Sequence, residues 1–214
     1  MKNLKLFSIV LLSVLLISCA ALGTAISHRH LETQTLMSNS IFLPPGATLT
    51  NKTIFVDVHN TTDKQIHITQ SLKAILRERG YFIVSNPSQA HFILQVNLLQ
   101  IGKNSESAAK EMMATGYGGA LEGALSGGAL AYVANINPVQ GGLVGGTAIV
   151  VANNLVQNVT YSGIVDVKVT LMGSKHRAYK TRILILANQV NLDFKDALPS
   201  LEEGITHSIA GILS

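Results

Sequence analysis

The sequence predicts an α/β (α+β) domain divided by an inserted, glycine-rich transmembrane helical hairpin. Three observations carry this reading. Apolar and polar residues alternate at 53–59, 91–101 and 165–171, as in strands with one buried face. Apolar residues at helical spacing follow the first strand and recur at the C-terminus. Between the two halves lies 114–156, which holds ten of the 18 glycines and has Glu122 as the only charge between Glu111 and Asp166.

Residues 1–18 read as a signal peptide. Lys2 and Lys5 give a positive start, and 6–17 is an apolar run too short to span a bilayer comfortably. The run ends Leu16-Ile17-Ser18-Cys19-Ala20, which resembles the lipobox of bacterial lipoproteins. In a lipobox the signal is cut before the cysteine, whose thiol is acylated. The alternative is an ordinary signal peptide with an incidental cysteine. Cys19 is the only cysteine, so no intramolecular disulfide is possible. Ala20 in place of Asp implies, by the same resemblance, sorting to the outer membrane. Residues 19–30 then form a lipidated tether. Cleavage would remove Lys2 and Lys5 and lower the formal charge of +4 by two, and no basic run remains to suggest nucleic acid.

The first half of the domain is 31–110. After the strand at 53–59, Asn60-Thr61-Thr62-Asp63 reads as a turn, with Thr62 and Gln65 spaced as a capping box. Ile68, Leu72, Ile75 and Leu76 share a helix face that ends at Gly80. A short strand at 81–84, a turn at Asn86-Pro87-Ser88 and the strand 91–101 follow, and 103–110 reads as a polar connection.

The hairpin occupies 111–157, with arms at 114–133 and 139–156. At about 1.5 Å per residue, each arm as a helix would cover roughly the 30 Å core of a bilayer. Gly119, Gly123 and Gly127 recur every fourth residue, as do Gly141 with Gly145 and Gly142 with Gly146. That spacing collects small residues on one face and allows close helix packing in lipid. Asn135-Ile136-Asn137-Pro138 is the turn, so Asn135, Asn137 and Pro138 would form a surface tip. Glu122 would be an intramembrane charge facing the bundle interior, or would lie near the interface and snorkel. A flexible linker would carry more polar residues, a water-soluble helix would suffer from its glycines, and barrel strands would alternate.

The second half is 158–214. The strand at 165–171 turns near Gly173 into a second strand, 179–192, whose middle is apolar on both sides and so reads as central. A helix over 199–213 closes the chain, with Pro199 either opening it or kinking one begun near Phe194.

No enzyme constellation is visible. The glycines lack a phosphate-loop lysine, no G-x-S-x-G elbow occurs, and a lipid-bearing cysteine cannot be a nucleophile. His28 and His30 lack further ligands, so no metal and no cofactor are expected.

Several segments resemble the TraT family of surface-exclusion and complement-resistance lipoproteins. They are Leu31-Glu32-Thr33-Gln34-Thr35-Leu36-Met37-Ser38, Asn60-Thr61-Thr62-Asp63-Lys64, the glycine-rich hairpin, Tyr179-Lys180-Thr181-Arg182 and the C-terminal run from Ala187. The resemblance implies a non-enzymatic, homo-oligomeric outer-membrane lipoprotein that blocks conjugative DNA transfer between like donors and acts in complement resistance. It implies a partner on a donor cell or in host complement. The domain would be periplasmic, with the hairpin tip outside. The connection near 172–177 is shorter than the family's. The other functions the sequence allows are a ring-forming transport or secretion pore, and a periplasmic envelope-binding module whose hairpin is only a peripheral anchor.

Overall fold

Eight strands and three α-helices form over the described residues of the computed structural model, which are 30–44, 46–47, 51–119, 121, 149–151, 154–156, 158–173 and 176–214. The alternating segments become β2 (Thr53–Asn60), β4 (Phe92–Lys103) and β7 (Asn158–Leu171). The remaining strands of the main sheet are β1 (Glu32–Met37), β3 (Phe82–Ile83) and β8 (Arg177–Val190). The sheet order is β1-β8-β7-β4-β2-β3. Neighbours are antiparallel from β1 through β4, and β4, β2 and β3 are parallel. β8 is interior, as its two-sided apolar middle requires.

Helices α1 (Ile68–Glu78) and α3 (Phe194–Ile212) cover one face. Ile54, Leu72, Leu76, Phe92, Ile185 and Leu201 meet there in the main core. Gly204 is needed for this contact, because a Cβ on it would lie 2.9 Å from Ile185 Cγ2. Pro199 sits inside α3 rather than opening it. It lies past the first turn, where donors have no intrahelical partner, so the helix forgoes one i→i−4 hydrogen bond, the one that would reach Lys195 O.

The opposite face is covered by α2 (Glu106–Ala114), formed where a polar connection was expected. Ser105 caps it, its Oγ accepting from Ala108 N at 3.2 Å, and Lys110 pairs with Glu106 one turn away at 2.6 Å. Ala109 and Met112 pack on Ile164, Leu184 and Leu186 in a second, smaller core. The strand β1 was also not expected; it pairs with β8 from Glu32↔Asn188 to Met37↔Ile183.

Three expectations are corrected. The cap of α1 is His67, not Thr62; the Thr62 hydroxyl instead donates to Asn60 Oδ1 at 2.7 Å and accepts from Lys64 N. Helix does not run on from Ala114 into the first arm, because Gly116 and Gly118 turn the chain with φ of 70° and 72°. The last part of the second arm is not helix either. Ile149–Val151 (β5) and Asn154–Val156 (β6) pair antiparallel, as β-branched residues favour. Among the described residues no helix is long and apolar enough to cross a membrane.

The registers also give the sheet two distinct ends. Glu32, Lys103, Asn158 and Val190 lie at the end where the chain enters, and Thr53, Phe92, Leu171 and Arg177 at the other.

Candidate functional site

Asp166 and Arg182 face each other across β7 and β8, on the face covered by α2. Arg182 is fully buried and Asp166 nearly so. Arg182 Nε donates to Asp166 Oδ1 at 2.7 Å, and Nη2 donates to Oδ2 at 3.1 Å. The remaining guanidinium hydrogens reach the chain just before the insert. Nη1 donates to Met112 O at 3.0 Å and to Thr115 Oγ1, and Nη2 donates to Gly119 O at 2.9 Å. Gly118 N donates to Asp166 Oδ2 at 2.8 Å, and Thr115 Oγ1 donates to Met112 O.

A guanidinium offers five N–H donors and stays protonated, and here every donor is used. The pair thus works as a clamp. Removed from water, its charges are compensated by each other and by the last carbonyls of α2. Burial, then the charge of Asp166, pushes the Tyr117 phenol above its ordinary value. Lys180 Nζ lies 5.2 Å from the Tyr117 ring centroid.

An open groove lies beside the clamp and another at the entry end of the sheet. The first, of about 690 Å³, is lined by His59, Gln95, Asn97, Tyr117 and Lys168. The second, of about 600 Å³, is lined by Lys64, Lys103, Tyr161, Asn191 and Phe194. Among the described residues no group of three or more His, Cys, Asp or Glu side chains could hold a metal ion. The His59–Asp57 pair at 3.1 Å is an exposed surface contact with no nucleophile among its hydrogen-bond partners.

Of the lipidation, membrane-packing, intramembrane-charge and tip residues expected from the sequence, only Gly119 is described. It lies in the turn after α2, its carbonyl held by Arg182, rather than on a helical packing face. A Cβ there would sit 2.4 Å from Thr115 O. Cys19, Glu122, Gly123, Gly127, Asn135, Asn137, Pro138, Gly141, Gly142, Gly145 and Gly146 lie outside the described residues, as do the signal peptide and most of both arms. Sequence reasoning missed the clamp. Its signal was two opposite charges, each inside an apolar run of strand, Val165-Asp166-Val167 and Thr181-Arg182-Ile183.

Comparison with known proteins gives one consistent family. The model of the enterobacterial TraT complement resistance protein matches residues 30–173 and 171–213. A TraT complement resistance protein of Escherichia coli is 32% identical over 250 aligned positions, covering 99% of each chain. That of Escherichia coli strain K12 is 32% identical over 251, covering 100% of each. These alignments are longer than the chain, and the two matched blocks overlap at 171–173, at the β7–β8 turn. Among solved structures, a DUF4136 family protein from Bacteroides thetaiotaomicron is 10% identical and covers 85% of this chain and 97% of its own, with a TM-score of 0.36.

Proposed function

The chain belongs to the TraT complement resistance protein family, and on that premise we propose that it is a non-enzymatic outer-membrane lipoprotein acting at the cell surface. In this reading Cys19 carries the lipid, the insert enters the membrane, and copies of the chain associate through its glycine faces. The surface so presented interferes with entry of conjugative DNA and with deposition of complement. One observation carries the reading: the similarity runs the length of the chain, including the insert and the lipobox region, and so is not confined to the domain. The buried clamp supports it by giving the insert a fixed base on a stable sheet. A steric or adhesive role needs that positioning and needs no reacting group.

The test uses a recipient strain expressing the chain. It should receive a plasmid from donors less often than an empty recipient, and it should survive serum better. Cys19→Ser, which removes the acylation site, should abolish both effects. Mating and survival unchanged by expression of the wild-type chain, with the protein confirmed in the outer membrane, would refute the proposal.

A further inference from the structure

We infer that the domain turns the entry end of its sheet toward lipid headgroups, and that the Arg182–Asp166 clamp aims the insert to that end. This rests on the reading above, that Cys19 is acylated and the insert enters the bilayer. The tether alone does not set the orientation. Its dozen or so residues could extend roughly 40 Å, enough to let the domain lie either way up.

The insert's two junctions do set it. The returning chain joins β7 at Asn158, which lies at the entry end opposite Val190. The departing chain starts badly for this. From Asn104, whose backbone N donates to Thr160 O near the entry end, α2 runs down to the level of Arg182. A helix continued past Ala114 would carry the insert toward the far end, away from both Asn158 and the tether. The clamp prevents that. It grips Met112, Thr115, Gly118 and Gly119, and the two left-handed glycines reverse the chain. Leu121 then packs back onto the second core, whose strand residues Ile164, Leu184 and Leu186 lie on the entry side of the clamp. The lipid tether and both insert junctions are thereby brought toward one end.

That end has the chemistry of a headgroup-facing rim. Its groove places Lys64 and Lys103 beside the rings of Tyr161 and Phe194. Cations and amphipathic aromatics suit the phosphate and glycerol layer of a bilayer. Asp63, paired with Lys64 at 2.9 Å, and Asp193 moderate the charge, so the rim would settle on headgroups without depending on anionic lipid. The far end also carries an exposed aromatic, Phe82, which makes the opposite orientation the outcome to test against.

Full-length acylated protein is reconstituted into vesicles of phosphatidylethanolamine and phosphatidylglycerol containing a headgroup-spin-labelled lipid. A fluorophore is placed at Asp63→Cys or Gln89→Cys. The acylated Cys19 does not react with it. β4 runs 12 residues, from just after Gln89 to Lys103 beside Lys64, so the two sites stand about 35 Å apart, beyond short-range quenching. Quenching should be several-fold stronger at 63 than at 89. Stronger quenching at 89, or equal quenching, in protein that floats with the vesicles overturns the orientation while leaving the anchoring intact. Protein that does not float, or whose Cys19 takes the label, overturns the anchoring and the inference with it. In Asp166→Asn the ratio between the two sites should fall toward one. An unchanged ratio in a variant with a wild-type circular dichroism spectrum overturns the clamp's part in the aim.

Discussion

Removing one half of the clamp tests the energetics most sharply. In Asp166→Ala the guanidinium of Arg182 stays fully buried and keeps only neutral acceptors, the carbonyls of Met112 and Gly119 and the Thr115 hydroxyl. Breaking a buried pair from one side costs about 3–5 kcal/mol, a large share of the roughly 5–15 kcal/mol of a folded domain. For a chain of this size, about 2–4 °C of melting temperature is lost per kcal/mol, so a drop on the order of 10 °C is expected. The double variant Asp166→Leu, Arg182→Met removes both charges and fills the space with apolar atoms. It leaves Gly119 O without its Arg182 donor and Gly118 N without its Asp166 acceptor, at about 1–3 kcal/mol for each such group, while Met112 O keeps the Thr115 hydroxyl. It should nevertheless be less destabilised than the sum of the two single variants, because neither charge is stranded. The assay is urea unfolding of the detergent-solubilised chain, followed by far-ultraviolet circular dichroism, for the wild type and all variants of the cycle. A loss below about 1 kcal/mol in Asp166→Ala, against the 3–5 kcal/mol expected of a stranded charge, would refute the reasoning.

Gly204→Ala should cost about 1–3 kcal/mol by overpacking, since its Cβ would press on Ile185 at 2.9 Å. Gly102→Ala, with nothing within 4 Å of the added atom, should be close to neutral by the same unfolding assay. Stability should fall as pH rises through and above 10, the ordinary tyrosine value. The phenols of Tyr81 and Tyr117 are both raised, chiefly by burial, so their contribution is complete below that value and is lost as the folded groups deprotonate. Unfolding at successive alkaline pH values shows this limb, and Tyr81→Phe should shallow it. That variant also loses the hydrogen bond to Leu213 O at 2.6 Å and about 0.5–1.5 kcal/mol near neutrality.

Much of the domain was legible because its signals are local. Val56 and Val58 alternate with Asp57, and Leu72 and Leu76 stand one turn apart, so periodicity alone places β2 and α1. Gly80, with φ of 84°, ends α1 where a glycine was expected to. The misses are tertiary. β1, with Thr33, Gln34 and Thr35 all exposed, has no buried face to impose a pattern, and only its pairing with β8 makes it a strand. α2 is short and weakly amphipathic, and its stability comes from the Ser105 cap and from Met112 packing on Leu184. The clamp joins residues 16 apart on neighbouring strands to a turn more than 60 positions away, and no spacing rule spans such a distance. Gly119 shows the limit of motif reading. Its place in a four-residue series suggested helix packing, whereas its backbone is a ligand of Arg182 in a turn.

The most direct test of the surface reading is the reach of the insert's tip. Asn137→Cys is compared in intact cells with Gln89→Cys, using a membrane-impermeant maleimide, with lysed cells showing that both sites react. Labelling at 137 and none at 89 is the predicted result, with the tip outside and the domain within the envelope. A tip that reacts only after lysis would contradict it, placing the insert inside the envelope and removing the basis for action at the cell surface.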